Sequence, residues 1–348
     1  MSRKLYLIKP SRHDDEQSLL LPEEVVRDIS QGIETSLTLD LNILSFLRSA
    51  LNSSTEAAAN EGLLAEIQNV FNTPFLFLSP GMALGEADES YLDSLHSSFE
   101  QFLEQFCPGY RDAPNATRDY RSNIGARRYG ALPKIEQQFF SISYLALLKV
   151  HDIILANRSS SPEAKFDRFL EYMDGVANFV PALEAEKAKF CFSSNQGSLD
   201  TEFVSLSDAI KDNFNKGGRG SKRVERVLNG ARDVMYLRMV ASMDGKNLDG
   251  KPQNTWLLTC DDGIAALSRA IYFYPVEDEA SKHVTIAEYG SRNKNAYWRY
   301  VDAECARVLL MRRKDGRSTA TNHGTKDHLG RLADLAHELE ERVSFYPV

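Results

Sequence analysis

Acidic residues at the edges of apolar runs carry the chemistry of this chain: Asp40, Glu86, Asp233, and the neighbours Asp261 and Asp262. Asp40 closes the run Ser36-Leu37-Thr38-Leu39, and Asp261 follows Trp256-Leu257-Leu258-Thr259-Cys260. A carboxylate flanked by apolar sequence needs a cation, a hydrogen bond or solvent. Several within a few ångström of one another cannot all stay ionised without a counter-charge, and a divalent cation supplies one. Oxygen ligands with no histidine or cysteine among them favour Mg²⁺ or Mn²⁺ over zinc. Such a site activates water and offsets the charge that develops as a phosphodiester is cut.

The elements around these acids follow from hydrophobic periodicity. Leu37 and Leu39 lie in an uncharged run of the kind buried on both faces of a sheet, and Ile43, Leu44, Leu47 and Leu51 then repeat at helical spacing. Asp40 is therefore expected at a strand's carboxyl end, where open α/β sheets collect ligands and catalytic groups. Leu5 to Ile8 reads as a short strand ended by Pro10, and Pro22-Glu23-Glu24 opens a helical turn. The stretch Pro74 to Pro80 reads as a second buried strand, followed by a helix over Gly81 to Ala87 that carries Glu86 and is expected to be capped by Ser79. Trp256 to Gly263 is a third strand that ends on carboxylates and hands over to the helix Ile264 to Ile271. Lys282 to Ala287 alternates as a further strand. Between 107 and 224 the texture is helical, with a largely apolar run from Ile135 to Leu155. The helix after the basic loop 215–223 carries Asp233 on a face with Tyr236, Leu237 and Val240. Tyr297 to Arg313 and a stripe from Leu329 to Val343 form the last helices.

In this order and context the acids resemble the motifs of PIN-domain nucleases. Asp40-Leu41-Asn42 is similar to the family's opening Asp-x-Asn, Glu86 behind Ser79-Pro80 to its second acid, Asp233 to its third, and Thr259-Cys260-Asp261 to its Thr-x-Asp fourth. The resemblance implies an α/β fold with a Rossmann-like parallel sheet flanked by helices. It also implies metal-dependent endonucleolytic cleavage of RNA, or less often DNA. Asp40, Glu86, Asp233 and Asp261 would be catalytic and ligate Mg²⁺ or Mn²⁺ together with Asp262, supported by Asn42 and Thr259. The expected organisation is a discontinuous core over 30–106 and 225–290, a helical insertion over 107–224, which is longer than in compact members, and C-terminal helices over 291–348.

Each acid also has a plainer role open to it. Asp40 or Asn42 can cap the helix that follows, Glu86 can be a solvated helix residue, and Asp233 can belong to a structural ion pair. Asp262 can be a helix cap while Asp261 does the chemistry. Cys260 reads as a small buried hydrophobe. The corresponding functional alternatives are a non-catalytic PIN-like module that binds nucleic acid or protein, and a metal-dependent phosphatase.

Composition limits the partners. Across 348 residues, 41 Lys and Arg face 49 Asp and Glu, and the net charge of −8 offers no bulk attraction to nucleic acid. Binding must then come from local patches: Arg127 and Arg128; Lys216, Arg219, Lys222 and Arg223; or the segment Arg292 to Arg299, where Tyr297 and Trp298 sit among cations. Cys107, Cys191, Cys260 and Cys305 are widely spaced, against a zinc knuckle or a disulfide scaffold. The N-terminal apolar run is too short for a signal peptide, and the expected setting is cytoplasmic, without membrane attachment. A homo-oligomer or a protein partner is compatible with all of this.

Overall fold

The computed structural model describes residues 3–9, 20–87, 89–110, 128–194, 199–214, 220–248, 250–274, 283–286, 290–317 and 326–346. Its chain divides into two compact units. The first comprises Met1–Arg127, Tyr236–Ser268 and Tyr272–Lys282, and the second Arg128–Met235, Arg269–Ile271 and His283–Val348.

The first unit opens with β1 (Tyr6–Ile8), α1 (Pro22–Ser30), β2 (Glu34–Leu39), α2 (Leu41–Asn52), α3 (Ser54–Ala59) and α4 (Glu61–Phe71). It continues with β3 (Phe77–Ser79), α5 (Gly81–Glu86) and α6 (Glu89–Phe106). The second unit supplies α7 (Lys134–Ala156), α8 (Pro162–Glu171), α9 (Ala182–Phe192) and α10 (Thr201–Phe214). Helix α11 (Ser221–Met243) runs from the second unit into the first. There the chain forms β4 (Asn247–Leu248), β5 (Lys251–Thr259) and α12 (Asp262–Ala270). The remaining elements are β6 (Ile271–Tyr274), β7 (His283–Ile286), α13 (Ala296–Lys314) and α14 (Lys326–Phe345).

The sheet of the first unit is mixed, in the order β1-β5-β2-β3. Strands β5, β2 and β3 are parallel, with Leu37 opposite Trp256 on one side and Leu78 on the other. Strand β1 runs antiparallel along β5, Tyr6 opposite Thr259, and β4 folds back on the start of β5 as a hairpin. The result is a mixed α/β arrangement whose parallel strands β5, β2 and β3 carry an antiparallel edge. Leu37, Leu39, Trp256, Leu257 and Leu258 are all fully buried, as the uncharged runs require, because helices pack on the sheet. Helix α2 packs on β5, α5 and α6, and its Ile43, Leu44, Phe46 and Leu47 are completely enclosed. Phe71 of α4 meets Phe99 and Phe102 of α6 edge to face, at centroid distances of 6.2 and 6.0 Å.

At the start of β5, away from Asp40, a buried polar network ties strand to helix. Lys9 is paired with Asp244 and donates to Asn254 Oδ1 at 2.5 Å, and Asn254 Nδ2 donates to Asp28 Oδ2 at 2.5 Å. Thr255 adds a bond from its hydroxyl to the Val240 carbonyl at 2.6 Å, so the end of α11 is anchored to the sheet.

Among the described residues between 128 and 214 the second unit forms helices joined by turns, with no strand, as its texture implies. Helix α14 packs along α7, so the C-terminal helices belong to the same unit as the segment 128–235 and do not stand apart from it. Among the described residues α7 is the one helix long and apolar enough to cross a membrane; 56% of its most apolar stretch is buried, as in a core helix of a helical layer. At the centre lies α9, where Glu184, Glu186, Lys187 and Lys189 are buried along with the apolar residues. Lys189 Nζ meets Glu186 Oε2 at 3.0 Å and Asp302 Oδ1 at 2.8 Å, while Arg292 bonds Glu186 Oε1 at 2.5 Å and Asp302 Oδ1 at 2.6 Å. Two cations thus balance two carboxylates inside the bundle, and Arg292 rests 4.4 Å from the Trp298 ring centroid.

Candidate active site

Asp40 is 2% exposed at the carboxyl end of β2, and its backbone amide donates to the Leu258 carbonyl of β5 at 3.1 Å. The register Leu39 opposite Leu258 brings the ends of the two parallel strands level, so the next residues meet. Thr259 Oγ1 donates to Asp40 Oδ2 at 2.6 Å, and Asn42 Nδ2 donates to the same oxygen at 3.0 Å. The Thr259 hydroxyl also accepts from the Asp261 backbone amide at 2.9 Å, which ties the two acidic positions to one side chain. Asp40 stands at the N-cap position of α2, where its carboxylate makes no regular capping bond but the Asn42 backbone amide acts on it.

Burial pushes the Asp40 carboxyl above its usual value, the Thr259 hydroxyl and the Asn42 amide oppose this, and the nearby charge of Asp261 pushes it further up. Two carboxylates here therefore feel each other. Asp261 Oδ1 accepts from the amides of Gly263 and Ile264 at 2.8 and 2.9 Å, and so caps α12. This reverses the expected assignment of the cap to Asp262, whose exposed carboxylate instead accepts from the Tyr6 hydroxyl at 2.6 Å. Cys260, between Thr259 and Asp261 in the chain, has its thiol pushed up to about 11 by burial and by Asp40, and is protonated at neutral pH.

Thr259 is the hinge of this arrangement, which makes Thr259→Val informative. Valine keeps the shape and removes the donor to Asp40. A stability loss of about 1–3 kcal/mol at neutral pH is expected from urea denaturation, because a buried ionised acceptor loses its partner. The loss should shrink in acid, where the Asp40 carboxyl is protonated. An equal loss at both pH values would show that the bond does not favour the charged form.

The remaining acids are placed differently. Glu86 is half-buried at the end of α5, which follows β3 directly; Pro80 stands at that helix's N-cap, and Ser79 belongs to the strand and does not cap it. Asp233 falls in the helical unit, half-buried, where Asn213 Nδ2 donates to its Oδ2 at 3.1 Å. The unit boundary lies inside α11, between Met235 and Tyr236. Among the described residues no three acidic, histidine or cysteine side chains assemble as a metal-holding group. The pair Asp40 and Asp261 nevertheless fits a Mg²⁺ or Mn²⁺ ion that keeps most of its water shell. Such ions use one or two carboxylates, and a cation would offset the burial that chiefly raises the Asp40 carboxyl as well as the smaller repulsion from Asp261.

Of the basic candidates, Arg127, Lys216 and Arg219 lie outside the described residues. Arg128 and Lys222 are exposed. Arg223 is buried, and its guanidinium donates to the carbonyls of Val343 and Tyr346 at 3.0 and 3.3 Å, closing the end of α14. Arg292, Tyr297 and Trp298 are likewise core residues of the bundle, whereas Lys294 and Arg299 of the same segment are exposed. Periodicity missed Tyr6 and Glu66, both of which approach the site: Tyr6 through Asp262, and Glu66 through its charge on Cys260. No local signal marks either one, since β1 and α4 reach the site only through strand pairing and helix packing. No protein-family model, curated protein or solved structure matches this chain.

Proposed function

We propose that this protein is a metal-dependent endonuclease of PIN-like architecture that cuts RNA in preference to DNA in the cytoplasm. The reading rests on one observation: Asp40 and Asp261 close adjacent parallel strands and are joined through Thr259, with Asp40 buried and its carboxyl raised. Structural carboxylates are usually paired with a cation of the protein, whereas Asp40 has only the Thr259 hydroxyl and the Asn42 amide as partners while the charge of Asp261 acts on it, an arrangement that a bound cation would complete. Mg²⁺ or Mn²⁺, when bound, supplies the activation of water and the charge neutralisation that phosphodiester cleavage requires. Asp40 and Asp261 would hold the ion, with Asn42 and Thr259 fixing the Asp40 oxygen that they bond. Asp262, next to Asp261 in the chain, and Glu86, at the end of the helix that follows β3, would complete the set once substrate is bound.

The pairing of Asp233 with Asn213 in the helical unit favours a second reading, a PIN-like module that binds nucleic acid without cutting it. Incubating the purified protein with labelled single-stranded RNA, with Mn²⁺ or with chelator, separates the two. Cleavage that needs the metal and is lost in Asp40→Asn supports the nuclease. Retained RNA binding without cleavage supports the module, and turnover of a generic phosphomonoester with intact RNA supports a phosphatase.

A further inference from the structure

The polar face of α2 leads away from Asp40. Asn42, Ser45, Ser49 and Asn52 are all exposed and recur at intervals of three, four and three, so they form one stripe along the helix. It spans about 15 Å at 1.5 Å per residue. At its far end lies an open cleft of about 820 Å³, lined by Arg3, Arg48, Ser49, Asn52, Glu56 and Tyr91 among others. Arg48 sits 4.6 Å from the ring centroid of Tyr91, which is 46% exposed, and Arg3 sits 5.4 Å from that of Phe46. Neither guanidinium has a carboxylate partner among the described residues, although Glu56 lies in the same wall.

We propose that this cleft holds a single strand of nucleic acid whose path along α2 ends at Asp40 and Asp261. Arg3 and Arg48 take phosphates, Tyr91 stacks a base, and the serine and asparagine stripe bonds the backbone between them. In a chain of net charge −8, two guanidiniums lining one cleft form a local positive patch that attracts an anion. An exposed aromatic beside a guanidinium offers a face to an unstacked base, which a duplex does not present. The openness of the cleft and the length of the stripe suit a strand better than a small phosphorylated molecule. The inference rests on the reading of Asp40 and Asp261 as a phosphodiester site, but its test does not depend on cleavage.

Binding of a fluorescein-labelled 12-nucleotide RNA is measured by anisotropy in chelator across a salt series. The double variant Arg3→Gln with Arg48→Gln should bind about tenfold more weakly, with a salt slope shallower by about 1.4, at about 0.7 per phosphate contact in a single strand. Arg48→Lys should keep the slope. Tyr91→Ala should weaken binding about tenfold at unchanged slope, because stacking releases no counterions. All these positions are at the surface, and equal melting temperatures check that the fold is kept. Unchanged affinity and slope in the double variant overturn the proposal, as does a mononucleotide that displaces the 12-mer with equal affinity. If the variants behave as expected while the parent with Mn²⁺ leaves RNA intact, the cleft stands and the nuclease reading fails.

Discussion

Asp40→Asn is expected to lower Mn²⁺-dependent RNA cleavage more than about 100-fold, beyond what loss of an outer hydrogen bond to a metal ligand costs. The amide keeps an oxygen for the bonds from Thr259 and Asn42, so the fold should persist while the charge that holds the cation is gone. Without metal the same substitution should raise the melting temperature. The sign follows from linkage: the Asp40 carboxyl is raised in the folded state above its ordinary value of 3.8, chiefly by burial. A raised carboxyl holds its proton more tightly in the folded protein, so stability from this group is full below the ordinary value and is lost as pH rises through the folded one. At neutral pH the parent carries that loss and the amide variant does not. Melting curves of both proteins in chelator at several pH values check this, and the gap should widen with rising pH. A well-folded variant that still cuts RNA at the parent's rate would remove Asp40 from the site.

Arg292→Met should be the most damaging single change to the helical unit, at about 3–5 kcal/mol, the usual result of leaving a buried charge without its partner. Glu186 and Asp302 would lose a guanidinium that bonds both. Burial alone would raise the Glu186 carboxyl, but Arg292 and Lys189 outweigh it and hold the group below its ordinary value of 4.5. Asp302 is held down in the same way. Depressed carboxyls contribute stability that is present above their unfolded values and is lost as pH falls through the folded ones, here below about pH 4.5. The parent should therefore weaken in acid through this network, and the variant should lose that dependence. Trp298 is in van der Waals reach of Arg292, and Trp256, the other tryptophan, lies in the sheet unit. Fluorescence-detected urea unfolding on a Trp256→Phe background thus reports the helical unit alone. A loss below about 1 kcal/mol would mean that water or relaxation compensates Glu186.

Local order was legible in the sequence wherever neighbouring residues decide it. The switch from an uncharged run to helical spacing at Asp40, and again at Asp261, depends only on backbone period and burial, and both strand-to-helix turns are found where the pattern put them. The helical character of the described residues between 128 and 214, and the last two helices, follow from the same period. Which residues meet is another matter, because pairing over 200 positions leaves no mark in a window of twenty. Only the register of β2 on β5 brings Thr259 to Asp40, and only the packing of α2 and α6 sets Arg48 beside Tyr91. Helix α11 is one continuous periodic run, so its residues give no sign that Asp233 belongs to one unit and Val240 to the other. Cations misled for a related reason: Arg223 and Arg292 look like surface charge in one dimension, and their burial was decided by carbonyls and carboxylates supplied from distant helices.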